Sequence, residues 1–173
     1  MIMIYGPAGS GKSTQGRLLA EKIGGIALSV GQICREQFIE YTKTAAMVPE
    51  DELAEAVIKE VRKAEMAGVP VILDGQPWSK ESKGSELLSS ATNGVIVIDV
   101  ERDECIKRLS GRGRADDELS NWNRKLEMFN RVMPEYEELL KSKHVPIKHV
   151  DGMGEIEVVA KRICNLYKKF VQK

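Results

Sequence analysis

The residues best suited to chemistry form a glycine-rich loop near the start of the chain, Gly6-Pro7-Ala8-Gly9-Ser10-Gly11-Lys12-Ser13. This loop fits the pattern GxxxxGK followed by Ser or Thr, and it lies between a strand-like run and an amphipathic segment. Glycines let the backbone curl so that successive N–H groups face one anion, and a helix N-terminus adds partial positive charge. The loop therefore predicts a site for the phosphates of a nucleoside triphosphate. Its expected contacts are Gly9, Ser10, Gly11, Lys12, Ser13 and Thr14.

Lys12 and Ser13 have different predicted roles in this loop. The lysine is expected to reach the β- and γ-phosphates, and the serine hydroxyl is expected to bind Mg²⁺. A magnesium site also needs a carboxylate. Asp74 is favoured, because it ends an apolar strand-like run and opens a loop, and Asp99 at the end of another such run is the alternative.

Basic residues crowd one later region: Arg102, Arg108, Arg112, Arg114, Arg124 and Lys125. Glycines separate Arg112 from its neighbours, which favours a segment that closes over a site rather than a solvated helix face. The fixed fork of donors on arginine suits phosphoryl oxygens, and closure would exclude water. The alternative is a surface charge run paired with nearby acids, namely Asp103, Asp116, Asp117 and Glu118.

Strand-like and helix-like runs alternate along the chain and must position these groups. Apolar, β-branched runs predict buried strands at Met1–Tyr5, Val69–Leu73, Val95–Val100 and Val145–Val150, with Ile26–Leu28 as a short fifth. Amphipathic segments between them predict helices at Lys12–Ile23, Gly31–Tyr41, Glu50–Ala67, Lys80–Ser90, Asp103–Leu109, Asp117–Lys141 and Gly154–Phe170. Strands joined by helical crossovers predict a parallel sheet covered on both faces, with ligands beyond the carboxyl ends of the strands.

The composition predicts one globular domain over residues 1–173. Twenty-six basic and 26 acidic residues balance, so no global field favours nucleic acid or an anionic membrane. The three cysteines are widely separated from one another and from the two histidines, which argues against a zinc site and suits a reducing compartment. No apolar run approaches the roughly 20 residues of a membrane helix, and the glycine loop begins too early for a secretory signal. A cytoplasmic protein is expected.

With these motifs the sequence resembles the adenylate kinase branch of the nucleoside monophosphate kinases, nearly end to end. Gly6–Ala20 is similar to the family's phosphate loop and first helix. Ser29–Arg35 resembles its STGDxxR segment, Val48–Leu53 its LVPDEL segment and Leu73–Trp78 its LDGFPR segment. The lid motifs RLxxR and RxDD resemble Arg108–Arg112 and Arg114–Asp117, and the turn near the donor adenine resembles Val150–Gly152.

The resemblance implies a P-loop, three-layer α/β/α fold with a five-stranded parallel sheet, acceptor-binding helices within residues 29–58 and a short lid within 110–118. It implies a monomeric enzyme that transfers the γ-phosphoryl group of ATP to AMP or a related nucleoside monophosphate with Mg²⁺. Arg108 would lie on the donor base. The charge of the transferring group would be carried by Lys12, Arg112, Arg114 and either Arg124 or Lys125. The acceptor would be bound by Ser29, Gly31, Arg35, Val48, Gly75 and Trp78.

The acceptor half departs from the family pattern at four positions. Val30 and Gln32 replace its threonine and aspartate, Trp78 replaces the arginine of LDGFPR, and Ser82 aligns with the glutamine that reads adenine. Loss of such donors loosens or redirects base specificity. Trp78 is either a stacking platform or a packing residue. Two further alternatives are a kinase for a pyrimidine nucleotide or a non-nucleotide acceptor, and a nucleotide-binding regulatory module with little turnover.

Overall fold

A computed structural model describes residues 1–44, 46–75, 77–111, 113 and 119–171. Within these ranges five strands form one sheet: β1 (Ile2–Tyr5), β2 (Ile26–Ser29), β3 (Val71–Asp74), β4 (Gly94–Asp99) and β5 (Ile147–Asp151). The strand order is β2-β3-β1-β4-β5, and every pairing is parallel. The predicted five-stranded parallel sheet is therefore confirmed.

The described ranges also contain eight helices: α1 (Lys12–Ile23), α2 (Val30–Gln37), α3 (Ile39–Lys43), α4 (Glu50–Met66), α5 (Lys83–Ala91), α6 (Arg102–Ser110), α7 (Leu119–Ser142) and α8 (Ile156–Val171). The prediction of one continuous helix over Gly31–Tyr41 was wrong. Phe38 leaves helical geometry at φ −123° and ψ 50°, and its N–H donates to Cys34, which ends α2. Elsewhere the predicted helix ends differ by a few residues, as is usual for end assignments.

Alternate residues of the central strands face opposite helical layers. Met3, Leu73 and Val95 pack with buried residues of α4, α5 and α7. Ile4 and Ile96 pack on the other face with α1 and α8. Because side chains alternate along a strand, continuous apolar strands require helices on both faces. This packing is the predicted three-layer α/β/α arrangement.

The carboxyl edge of the sheet brings separate strand ends together. Strand register pairs Asp74 with Ile4 on one side and with Ser29 on the other. The glycine loop follows β1 directly and leads into α1. The strand ends predicted to meet in space therefore do meet, at the edge where ligands bind in such sheets.

Helix α6 packs directly against the glycine loop. Gly9 has φ +87°, and a Cβ at this position would lie 2.5 Å from the carbonyl oxygen of Cys105. A small apolar cluster joins the loop to α6 and to the start of α7: Ala8, Cys105, Leu109, Trp122 and Leu126. Close backbone contact and positive φ together explain why glycine is required at position 9.

The described helices give no indication of a membrane span. None of them combines the length and the apolar character needed to cross a bilayer.

Candidate active site

A cavity of about 710 Å³ lies at the carboxyl edge of the sheet. The glycine loop, α2, the start of α4, the loop after β3, α6, α7 and the segment 152–159 contribute to its wall. Apart from the alternative carboxylate Asp99 and from Arg102, the described residues with a predicted site role all line the cavity. Arg112 and Arg114 lie outside the described residues, as does most of the predicted lid.

The glycine loop forms one part of the cavity wall, which includes Gly9, Ser10, Gly11, Lys12, Ser13 and Thr14. Gly11 has φ +88° and precedes the first residue of α1. The Lys12 ammonium donates to the Pro7 carbonyl at 3.2 Å, which holds the lysine across its own loop. Backbone amides at a helix N-terminus beside an ammonium group make an anion site.

Ser13, Ser29 and Asp74 form a hydrogen-bonded group beside this loop. The Ser13 hydroxyl donates to Oδ1 of Asp74 at 2.9 Å, and the Ser29 hydroxyl donates to the same oxygen at 3.1 Å. Asp74 is buried, and burial raises the pKa of its carboxyl, while Lys12, the two hydroxyls and Arg35 oppose that rise. The group can hold a hard cation through one hydroxyl and one carboxylate.

Asp99, the alternative carboxylate, lies elsewhere. It is exposed and contacts Nδ1 of His149 at 2.9 Å, and it does not line the cavity. Among the described residues, no cluster of three or more His, Cys, Asp or Glu side chains could hold a metal ion by itself. An ion at Ser13 and Asp74 would therefore depend on phosphate oxygens and water for its other ligands, which is the usual arrangement for Mg²⁺.

Arg108 and Gln15 both contact the segment that leads into α8. The Arg108 guanidinium donates to the Gly152 carbonyl at 3.1 Å and to Glu104 at 2.9 Å. The hydrogen bond from Arg108 lowers the pKa of Glu104. Gln15 donates to the Ile156 carbonyl at 3.0 Å. The segment that leads into α8 is thus held from both α1 and α6.

The other basic residues divide between the cavity and the surface. Arg124 and Lys125 on α7 both line the cavity, although they are adjacent in sequence. Arg102 does not line it and donates to Asn123 at 2.7 Å instead. Within the described ranges, the cluster seen in the sequence therefore supplies three cations to this cavity, with Arg108 as the third.

The expected acceptor residues line the other half of the cavity: Ser29, Gly31, Arg35, Val48, Gly75 and Trp78. Arg35 is exposed on α2, and its positive charge opposes the rise in the pKa of the Asp74 carboxyl. Gly75 packs against Val30, since a Cβ there would lie 2.7 Å from Val30 Cγ2. Val30 thus fills space beneath the loop where the family has a threonine.

Five further residues line this half: Cys34, Tyr41, Met47, Glu50 and Leu53. Cys34 lies in the STGDxxR-like segment, and Glu50 and Leu53 lie in the LVPDEL-like segment, whereas sequence reasoning assigned no role to Tyr41 or Met47. Glu50 follows Pro49 at the start of a predicted helix, where an acid suits the helix dipole. The resemblance of Val48–Leu53 to the LVPDEL segment also implies that this segment lines the acceptor base. The place of Glu50 in the cavity depends on the packing of α4 beside the loop after β3.

Two of the four departures from the family pattern lie away from the cavity. Ser82 accepts from the Ser85 N–H at 3.2 Å and caps α5. Gln32 is exposed and donates to Glu36 at 2.7 Å. Neither side chain lines the cavity, so neither is positioned to read a base.

Trp78 lies at the cavity wall and in the core at once. It is only 4% exposed, and a Cβ on Gly84 would lie 2.6 Å from its ring. Its indole N–H makes no hydrogen bond of good geometry. Burial raises the pKa of the nearby Tyr5 hydroxyl, and Trp78 opposes that rise. This burial favours the packing role of Trp78 over a platform for a base.

The fold and the cavity define a P-loop α/β protein built to hold phosphates. A family model described as an AAA domain matches residues 5–123. The adenylate kinase of Encephalitozoon cuniculi (strain GB-M1) is 30% identical over 94% of this chain and 94% of its own length. The adenylate kinase of Mycobacterium ulcerans (strain Agy99) is 30% identical over 93% and 95%, and an adenylate kinase of Thermus thermophilus is 28% identical over 94% of each.

The chain belongs to the adenylate kinase family. It is accordingly an ATP-dependent phosphotransferase.

Proposed function

We propose that this protein transfers the γ-phosphoryl group of ATP to a nucleoside monophosphate, AMP or a related nucleotide, in a reversible reaction with Mg²⁺. The observation behind the proposal is one cavity whose two halves each contain groups suited to a phosphate. Lys12 and the glycine loop lie in one half and Arg35 lies in the other, with Asp74 between them. A site for two phosphate-bearing substrates has this form.

The donor half would bind ATP through groups that suit its charge. The N–H groups of the loop and the start of α1 would hold the β- and γ-phosphates, and Lys12 would neutralise their oxygens. Ser13 and Asp74 would hold Mg²⁺, which when bound screens the charge of the transferring group. Arg108 and the Gly152 turn would receive the base, because they define the far end of this half.

The acceptor phosphate would be the nucleophile, so the reaction needs no general base. Arg35 would hold this phosphate, and the Gly75 backbone would approach it closely. An arginine at this place suits an acceptor that already carries a phosphate. It therefore favours a nucleotide over a non-phosphorylated small molecule.

Basic side chains would stabilise the transferring group. Arg124 and Lys125 line the cavity from α7, and we include Arg112 and Arg114 of the short lid in the proposal. Phosphoryl transfer depends mainly on in-line positioning and on charge stabilisation. Closure of a basic segment would also exclude water, which otherwise accepts the phosphoryl group.

The test is ADP production from ATP across a panel of nucleoside monophosphates, with a sugar and a shikimate-like acid as non-nucleotide acceptors. We expect turnover with at least one monophosphate, well above ATP hydrolysis alone. Lys12→Ala should lower kcat by about 10²–10³-fold, as removal of one preorganised donor does. Lys22→Ala, at the exposed end of the same helix, should leave kcat unchanged.

Two results would contradict the proposal. Tight ATP binding without turnover of any acceptor would indicate a regulatory nucleotide-binding module. Turnover only with a non-nucleotide acceptor would keep the kinase chemistry and reject the nucleoside monophosphate as substrate.

A further inference from the structure

The acceptor half contains one acidic side chain that the proposed chemistry does not use. Glu50 lines the cavity at the start of α4 and is half-buried. Among the described residues of that half, Asp74 is the other carboxylate, and its contacts with Ser13 and Ser29 belong to the magnesium group. Glu50 therefore needs a separate explanation.

Ser79 holds the Glu50 carboxylate at both oxygens. Its backbone N–H donates to Oε2 at 3.2 Å, and its hydroxyl donates to Oε1 at 2.7 Å. Each carboxylate oxygen has two lone pairs, so each keeps the capacity to accept one more hydrogen bond. A side chain fixed in this way loses little rotamer freedom when it binds a ligand.

The surroundings of Glu50 suit the flat base of a nucleotide. Met47, Val48 and Leu53 line the cavity on either side of it in the sequence. Farther along the same half, the positive charge of Arg35 opposes the rise in the pKa of Asp74. Apolar walls with one fixed polar group are the common form of a small-molecule site, in which the polar group sets orientation and specificity.

We infer that Glu50 reads the base of the acceptor nucleotide and that guanine is the base that it fits best. The inference rests on the proposed function, because it assigns the base of the acceptor in that reaction. A carboxylate can only accept hydrogen bonds. Guanine presents two adjacent donors, N1–H and the 2-amino group, which match the two oxygens of one carboxylate.

Other bases match Glu50 less well. Adenine and cytosine place one amino donor beside a ring nitrogen that carries a lone pair, and that lone pair would face a carboxylate oxygen. Hypoxanthine keeps N1–H and lacks the 2-amino group. Uracil has one N–H between two carbonyl oxygens. Each of these edges leaves at least one oxygen of Glu50 without a donor from the base, or in repulsive contact with it, which costs affinity.

The closing experiment measures kcat/KM for GMP, IMP, AMP, CMP and UMP at saturating ATP and Mg²⁺. We expect GMP to exceed IMP by about 10–100-fold, the effect of one hydrogen bond to a charged group. Glu50→Gln offers one acceptor and one donor, so it should lower the GMP-to-AMP ratio by at least about tenfold. The KM for ATP should not change, because Glu50 lies in the acceptor half.

Glu52→Gln is the matched control, because Glu52 lies in the same helical turn and does not line the cavity. It should leave the GMP-to-AMP ratio as in the wild type. A wild-type enzyme that prefers AMP or a pyrimidine nucleotide overturns the inference and leaves the proposed function in place. A ratio unchanged by Glu50→Gln also overturns it. Absence of turnover with every monophosphate overturns both.

Discussion

The Ser13 hydroxyl donates a hydrogen bond of 2.9 Å to Asp74, although 61 residues separate them in the sequence. Ser13 follows β1, Asp74 ends β3, and these strands are neighbours in the sheet. The same oxygen of Asp74 accepts from Ser29 at the end of β2. One buried carboxylate thus joins the phosphate loop to the first residue of the acceptor segment.

Asp74→Asn tests the role of this carboxylate. The amide keeps the shape and one acceptor but removes the charge, so the Mg²⁺ concentration for half-maximal activity should rise by about 10–100-fold. Measuring ADP production over a series of Mg²⁺ concentrations would give this half-maximal concentration. Asp99→Asn is the control, because Asp99 ends a neighbouring strand outside the cavity. A larger change in the Asp99 variant would mean that the carboxylates were assigned the wrong way round.

Gly9→Ala tests the close packing of the phosphate loop against α6. The new Cβ would lie 2.5 Å from the Cys105 carbonyl, in addition to the strain of φ +87°. Gly24→Ala is the control, since it has φ +66° and open space around it. In the control, positive φ alone should lower the free energy of unfolding by about 1–2 kcal/mol. Gly9→Ala should lose more stability in denaturant unfolding and should also weaken ATP binding in calorimetry. Equal effects of the two substitutions on ATP affinity would argue against this account.

Trp78→Ala tests the packing role of the buried indole. Removing a large aromatic side chain from the core should lower the free energy of unfolding by about 3–5 kcal/mol. Met66→Ala removes an apolar side chain that is 89% exposed, and it should change that free energy by less than about 0.5 kcal/mol. Urea unfolding would measure both. A small effect of Trp78→Ala on stability with a large effect on the acceptor KM would instead support a stacking platform.

Arg108→Ala tests the donor end of the cavity. The substitution removes the hydrogen bond to the Gly152 carbonyl, and the KM for ATP should rise by about 10–100-fold, as expected for contacts of a charged donor. Lys107→Ala is the control, because Lys107 is exposed and pairs with the same Glu104 at 3.5 Å. Steady-state kinetics with ATP as the varied substrate would measure this KM in both variants. Similar KM values in the two variants would remove Arg108 from the donor site.

Features with short sequence spacing were predictable. The phosphate loop is one such feature, since its glycines, Lys12 and Ser13 lie within eight consecutive residues and act through local backbone geometry. The strand ends were predictable too, because parallel strands expose their carboxyl ends at one edge. The break at Phe38 was not, since a helical pattern continues past it and only the local backbone ends α2 there.

The sequence by itself determined the three-layer fold and the phosphate loop, because apolar periodicity and a contiguous motif encode them, and it favoured Asp74 over Asp99 without deciding between them. The tertiary structure decided for Asp74, which contacts Ser13, and it alone decided which of the departing acceptor-side residues reach the cavity. Packing of α4 and α5 buries Trp78, capping of α5 uses Ser82, and contact with Ser79 fixes Glu50 at the cavity. These outcomes depend on contacts between segments far apart or on competition for local hydrogen bonds, and neither leaves a repeating pattern in the chain.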